Sequence, residues 1–144
     1  MKTKHFISAV DSVAIESAIG TAEAKTSGEI RVFVTRLKCA DALPVARRHF
    51  DALGMQKTRD RNGVLIFVAP RSQTFAIVGD QAVHARCGDG FWAVLRDEMR
   101  EHLKQGRLTE ALVHAITRAG ALLAEHFPPA GEKRNEQPDA VVQD

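Results

Sequence analysis

The spacing of apolar positions changes several times along the chain, and each change marks an element. After Asp11 (or Ser8) as a cap, Ala14, Ile15, Ala18, Ile19 and Ala22 recur at helical spacing until Thr26-Ser27-Gly28 ends the pattern. Residues 29–35 alternate polar and apolar, with β-branched Ile30, Val32 and Val34, which predicts a strand packed on one face. Leu43, Ala46, Phe50 and Leu53 restore the helical period over residues 41–55, and Pro44 fits its first turn. Val64-Leu65-Ile66-Phe67-Val68 is an unbroken apolar run, the pattern of a central strand covered on both faces. Pro70-Arg71-Ser72-Gln73 then turns the chain, so Phe75-Ala76-Ile77-Val78-Gly79 returns antiparallel beside that run.

Two full helices follow, preceded by a short helical piece. A short piece covers residues 81–86. Behind an Asp89 cap, residues 90–105 place Phe91, Trp92, Leu95, Met99 and Leu103 on one stripe, and Gly106 stops them. Residues 109–126 carry Leu112, Ile116, Ala119, Leu122 and Leu123, with Phe127 before the breaking Pro128-Pro129. The strand–helix–strand order of residues 29–68 implies a right-handed crossover and a parallel pair. The predicted fold is α/β: a three-layer sandwich with a small mixed sheet between helices, in the order α-β-α-β-β-α-α. Residues 1–128 form one domain. Residues 129–144 are polar, with too little apolar surface to offset the entropy of ordering them, so a mobile tail is expected; the apolar pair Val141-Val142 is its exception.

Topology gives the chemistry an address. Parallel strands begin on one border of a sheet, so the Thr26–Glu29 entry of the first strand meets Asp60 and Asn62, which precede the second, and Asp80, which ends the third. Glu29, Asp60, Asn62, Asp80 and, further on, Asp89 offer the oxygen donors that calcium or magnesium takes. Each also has a plainer use: Asn62-Gly63 as a turn, Asp80 and Asp89 as caps, Glu29 as an exposed strand side chain. Asp60-Arg61-Asn62-Gly63 opens like an EF-hand loop but lacks the downstream glutamate.

Composition excludes several classes. The 144 residues are 44% hydrophobic and 26% charged, within the range of an ordinary globular domain. No apolar run approaches the roughly 20 residues a bilayer requires, so no membrane insertion is expected. Lys2 and Lys4 precede a segment broken by Ser8, Asp11 and Ser12, which lacks the apolar core of a signal peptide; a cytoplasmic location is the expectation. A net charge of +2 makes no case for nucleic acid. Arg47, Arg48, Lys57, Arg59 and Arg61 cluster locally and read as a solvated face in preference to an anion patch. Cys39 and Cys87 form no Cys-x-x-Cys pair and are read as free thiols, Cys87 as a buried and inert one. The six histidines include no pair three or four apart, which excludes a zinc site within one helix. His102, His114 and His126, twelve apart, rotate by about 120° per step and share no helical face.

Thr26-Ser27-Gly28-Glu29-Ile30-Arg31-Val32, Asp60 with Asn62-Gly63-Val64-Leu65-Ile66, Ala76-Ile77-Val78-Gly79-Asp80, Phe91-Trp92 and Leu122-Leu123-Ala124-Glu125-His126-Phe127-Pro128 together resemble the TPM domain family over roughly residues 8 to 128. The resemblance is closest to its small soluble bacterial branch. It implies an α/β sandwich and three possible activities: acid phosphatase, divalent-metal binding, or an accessory role without catalysis. It also implies that Asp60, Asn62 and Asp80 occupy metal-contacting loops, although many relatives carry a richer acidic run before the Asn-Gly pair.

Two functions are therefore expected. The first is a binding or accessory module with an unidentified protein partner and a weak calcium or magnesium site at Asp60, Asn62, Asp80 and Glu29. The second is a metal-assisted phosphatase, in which Arg61 or Arg59 holds the phosphate and Asp60 or Asp80 orients water. No Cys-x5-Arg, Asp-x-Asp, Arg-His-Gly or Walker signature supports a covalent or nucleotide-binding route. No organic cofactor is implied, and the oligomeric state is left open.

Overall fold

Asp11 begins the described chain as a helix cap: its carboxylate accepts from the Ala14 N–H at 3.0 Å and starts α1, Ser12–Glu23. The structure is a computed structural model, which describes residues 11–58, 60–88, 90–129 and 141–143. After α1 come β1 (Glu29–Val34), α2 (Ala42–Ala52), β2 (Gly63–Ala69), β3 (Thr74–Gly79), α3 (Gln81–Cys87), α4 (Gly90–Lys104), α5 (Leu108–His126) and β4 (Val142–Gln143). The predicted α/β order holds with one helix more, the short α3, so that three helices follow β3.

The sheet runs β3-β2-β1-β4 and is mixed. β1 pairs parallel with β2, Glu29 opposite Gly63 and Val34 opposite Val68; β2 pairs antiparallel with β3, Val64 opposite Gly79. The helical crossover through α2 and the turn at residues 70–73 produce these two pairings, as the sequence pattern requires. The turn itself is a short 3-10 helix, Pro70–Ser72, followed by Gln73 at φ 53°.

The sheet divides the core in two. Ile30, Val32, Val34, Val64, Ile66, Val68 and Ile77 pack with α1, α3, α4 and α5 on one face. Phe33, Leu65, Phe67, Ala69, Ala76 and Val78 pack on the other, against Ala42, Ala46 and Phe50 of α2 and against Met55. Alternation along each strand thus feeds both layers. Trp92, Leu95 and Met99 are buried as the stripe in α4 predicts.

Three expectations are corrected. β1 is buried along its whole length, with one polar–apolar period feeding two covered faces; Glu29 is 0% exposed, where an exposed strand side chain is expected. Arg31 is buried too, and burial pulls its guanidinium below the ordinary value. The second helix stops at Ala52, short of residue 55, and the chain continues through Gly54 at φ 71° into a 3-10 turn, Met55–Lys57. In the segment expected to be mobile, β4 adds to the free edge of β1, with Val142 opposite Phe33. An unpaired strand edge offers hydrogen bonds to whatever chain lies beside it, and the Val141-Val142 pair supplies that chain with apolar surface. Asp89 and Arg59 lie outside the described residues.

Candidate functional site at the sheet rim

The starts of β1 and β2 and the end of β3 open onto one border, as the two registers require. Three groups of polar contacts hold that border together. The loop before β1 is pinned to the end of α5: Ser27 N–H donates to the Phe127 carbonyl at 3.0 Å, and the Thr26 hydroxyl donates to the same oxygen. Glu23 and Ile30 tie α1 to β1, the buried Glu23 Oε2 accepting from the Ile30 N–H at 2.8 Å. Across the strands, Asn62 Nδ2 donates to Ser27 Oγ at 3.1 Å, while the Asp80 N–H donates to the Gly63 carbonyl at 2.9 Å.

Asp80 is the best-defined member. It is 6% exposed, and its Oδ1 accepts from the Gln81 N–H at 2.7 Å, capping α3. Arg61 grips the same carboxylate with both arms of its fork, Nε to Oδ2 at 2.9 Å and Nη2 to Oδ1 at 3.1 Å. The hydrogen bond to Asp80, then the charges of Asp80 and Asp51, raise the Arg61 guanidinium above its ordinary value against some desolvation. Arg61 makes this contact from φ 51°, a left-handed backbone that an arginine rarely adopts. Its carbonyl also accepts from the Ala82 N–H at 3.2 Å, which locks the loop to the first turn of α3.

The four expected ligands share the border but not a centre. Asn62 points toward Ser27, on the side where Val64 and Ile66 meet α1 and α5. Asp80 lines a cleft of about 220 Å³ on the α2 side, with Arg47, Asp51, Gln56 and Arg61. Glu29 is buried two strand spacings from Asp80, about 10 Å along the sheet. Asp60 is exposed in the loop. Among the described residues, no group of three His, Cys, Asp or Glu side chains is arranged to hold a metal.

Other readings of single residues also change. The buried Glu23 is a rim residue that no motif announces. Gln56 is a second, because its Oε1 is buried in the cleft wall without a hydrogen-bond partner. His102 and His114, which share no face of any one helix, meet across α4 and α5 with ring centroids 5.3 Å apart, and His114 Nε2 lies 3.1 Å from Glu98 Oε2. Cys87 is half-buried where a buried thiol is expected; desolvation, then the Glu125 charge, push the thiol up against the opposing Arg86.

A mixed sheet between helical layers defines the class: a small α/β sandwich. The chain belongs to the TPM domain family, whose model matches residues 1–122. It is similar to the BA42 protein of the psychrophilic bacterium Bizionia argentinensis, solved by NMR, at 37% identity and a TM-score of 0.86 over 92% of each chain. It shares its fold with the N-terminal domain of a P. gingivalis protein, at 15% identity and a TM-score of 0.63 over 81% of this chain and 76% of that one. No curated protein matches it. No described helix is long and apolar enough to cross a membrane.

Proposed function

We propose that the protein is a binding module whose rim cleft takes a divalent cation weakly, in competition with its own Arg61. The observation that carries this reading is the doubly gripped Asp80 carboxylate in a cleft that Asp51 and Gln56 also line, with the Gln56 Oε1 buried in the wall and unpartnered. Oxygen donors of this kind suit calcium or magnesium. Their number is small, and a guanidinium already neutralises Asp80, so an incoming ion must displace a bidentate ion pair. Affinity is accordingly weak. Asn62, Asp60 and Glu29 support such a site by shaping the rim, and the exposed carboxylates of Asp51 and Asp60 are the ones an ion meets first.

A second reading, hydrolysis of phosphate esters, is favoured by one feature of the same cleft. Arg47 and Arg61 stand on its walls with Asp80 between the strands and α3, so two guanidinium groups are available to a phosphate. The family model's own name, TPM phosphatase, points the same way. In this reading Arg61 exchanges Asp80 for a phosphate oxygen, the freed Asp80 orients water, and a bound cation supplies Lewis acidity.

Calcium and magnesium titrations followed by amide shifts test the first reading. Residues 51, 56, 61 and 79–81 are expected to shift together at millimolar ion; scattered shifts or none would remove it. Hydrolysis of an aryl phosphate that disappears in Asp80→Asn would establish the second reading, and absence of turnover in the native chain would dismiss it.

A further inference from the structure

We propose a ligand site at the opposite end of the sheet, taking a small amphipathic anion: a carboxylate or sulfonate carrying an apolar chain. A cavity of about 520 Å³ lies between the end of β2, the start of β3, the last turn of α4 and the start of α5. That volume falls within the range of about 300–1,000 Å³ typical of small-molecule sites. Its apolar wall comes from Val68, Phe75, Leu103 and Leu108; the last three are only half-buried, so apolar surface is left uncovered there.

The polar wall has one sign. Arg100 and Lys104, one turn apart on α4, stand beside the cavity, and no acidic residue lines it among the described residues. Arg100 pairs with Asp97 at 3.1 Å, but both side chains are more than half exposed and such a pair contributes little. Lys104 has no ion-pair partner among the described residues. Lys104, in the last turn of α4, also complements the helix dipole. That accounts for the charge of Lys104 and leaves Arg100 and the apolar chamber beside them unexplained.

The chain entering α1 borders the cavity. The Asp11 N–H donates to Thr109 Oγ1 at 3.2 Å, which fixes the entry to α1 next to Leu108 at the cavity's edge. Arg100 and Lys104 attract an anionic head group, and its tail covers Phe75, Leu103 and Leu108.

Decanoate, in monomeric solution, is the probe, with decanol as its uncharged counterpart and amide shifts of the full chain as the readout. Saturable shifts are expected at residues 68, 73–75 and 100–108. Decanol is expected to bind more weakly, and the double variant R100E/K104E to lose roughly tenfold in decanoate affinity, as two near-surface charges allow. Leu103→Trp fills the chamber and is expected to abolish binding while circular dichroism shows the fold retained. No shifts up to the solubility limit would overturn the proposal. So would equal affinity for decanol, an unchanged affinity in R100E/K104E, or shifts confined to residues 1–10.

Discussion

The two ends of the sheet are built on opposite plans. At the end where β1 and β2 begin, polar groups are packed and paired: Asp80 with Arg61 and Gln81, Asn62 with Ser27, Glu23 with Ile30. At the end where they finish, a chamber stands open beside two cations, with half-buried apolar side chains on its wall. Dense pairing fixes positions but leaves little to offer a ligand without rearrangement. Loose packing offers a ligand room and fixes little. A chemical event at the first end therefore has to break something, while one at the second only has to fill it.

Substitution at the two ends exposes the contrast. A β-carbon at Gly79 would lie 2.9 Å from Val83 Cγ1 and 3.2 Å from its Cβ, so Gly79→Val forces α3 off the sheet. The expected loss is about 3 kcal/mol in urea unfolding, at the upper end for overpacking. Asp80→Ala comes next: α3 loses its cap and the Asp80 hydrogen bonds disappear, about 2 kcal/mol by the same measurement. At the far end, a β-carbon on Gly106 meets nothing within 4 Å, and only the left-handed φ of 71° opposes it. Gly106→Ala is expected to cost about 1 kcal/mol. A rim no more sensitive than the cavity end would erase the comparison.

The smallest effect concerns Cys87, at the end of the helix that Asp80 caps. Its folded-state pKa lies above the ordinary thiol value. That contribution to stability is present below the ordinary pKa and is lost as pH rises through the raised one. Iodoacetamide at mildly alkaline pH is therefore expected to label Cys87 more slowly than a free thiol, as read by peptide mass spectrometry.

Much of the fold was legible because it rests on runs that leave little choice. Val64–Val68 has apolar side chains for both faces, and a parallel β1–β2 pair is what a helical crossover delivers. The shared rim followed from that topology alone. The side on which each rim residue points did not, because it depends on register: Val64 opposite Gly79 places Asn62 and Asp80 on different faces. Buried charge was equally hidden. Glu29 and Arg31 look like the solvent face of a strand, and only the layer packed over them makes them interior. The Arg61–Asp80 pair joins residues 19 apart through an unusual backbone angle, and His102 meets His114 across two helices, so no local period announces either. β4 escaped notice because two residues of strand within a polar segment carry almost no pattern.

The central claim is that Arg61 stands on Asp80 where a cation would stand. Glycine accepts the φ of 51° at position 61 and removes the guanidinium without leaving a strained side chain. Calcium affinity of Arg61→Gly, measured beside the native chain by amide shifts at residues 51, 56 and 79–81, is the direct test. The account predicts tighter binding in the variant, at the same residues. Equal or weaker binding would contradict it.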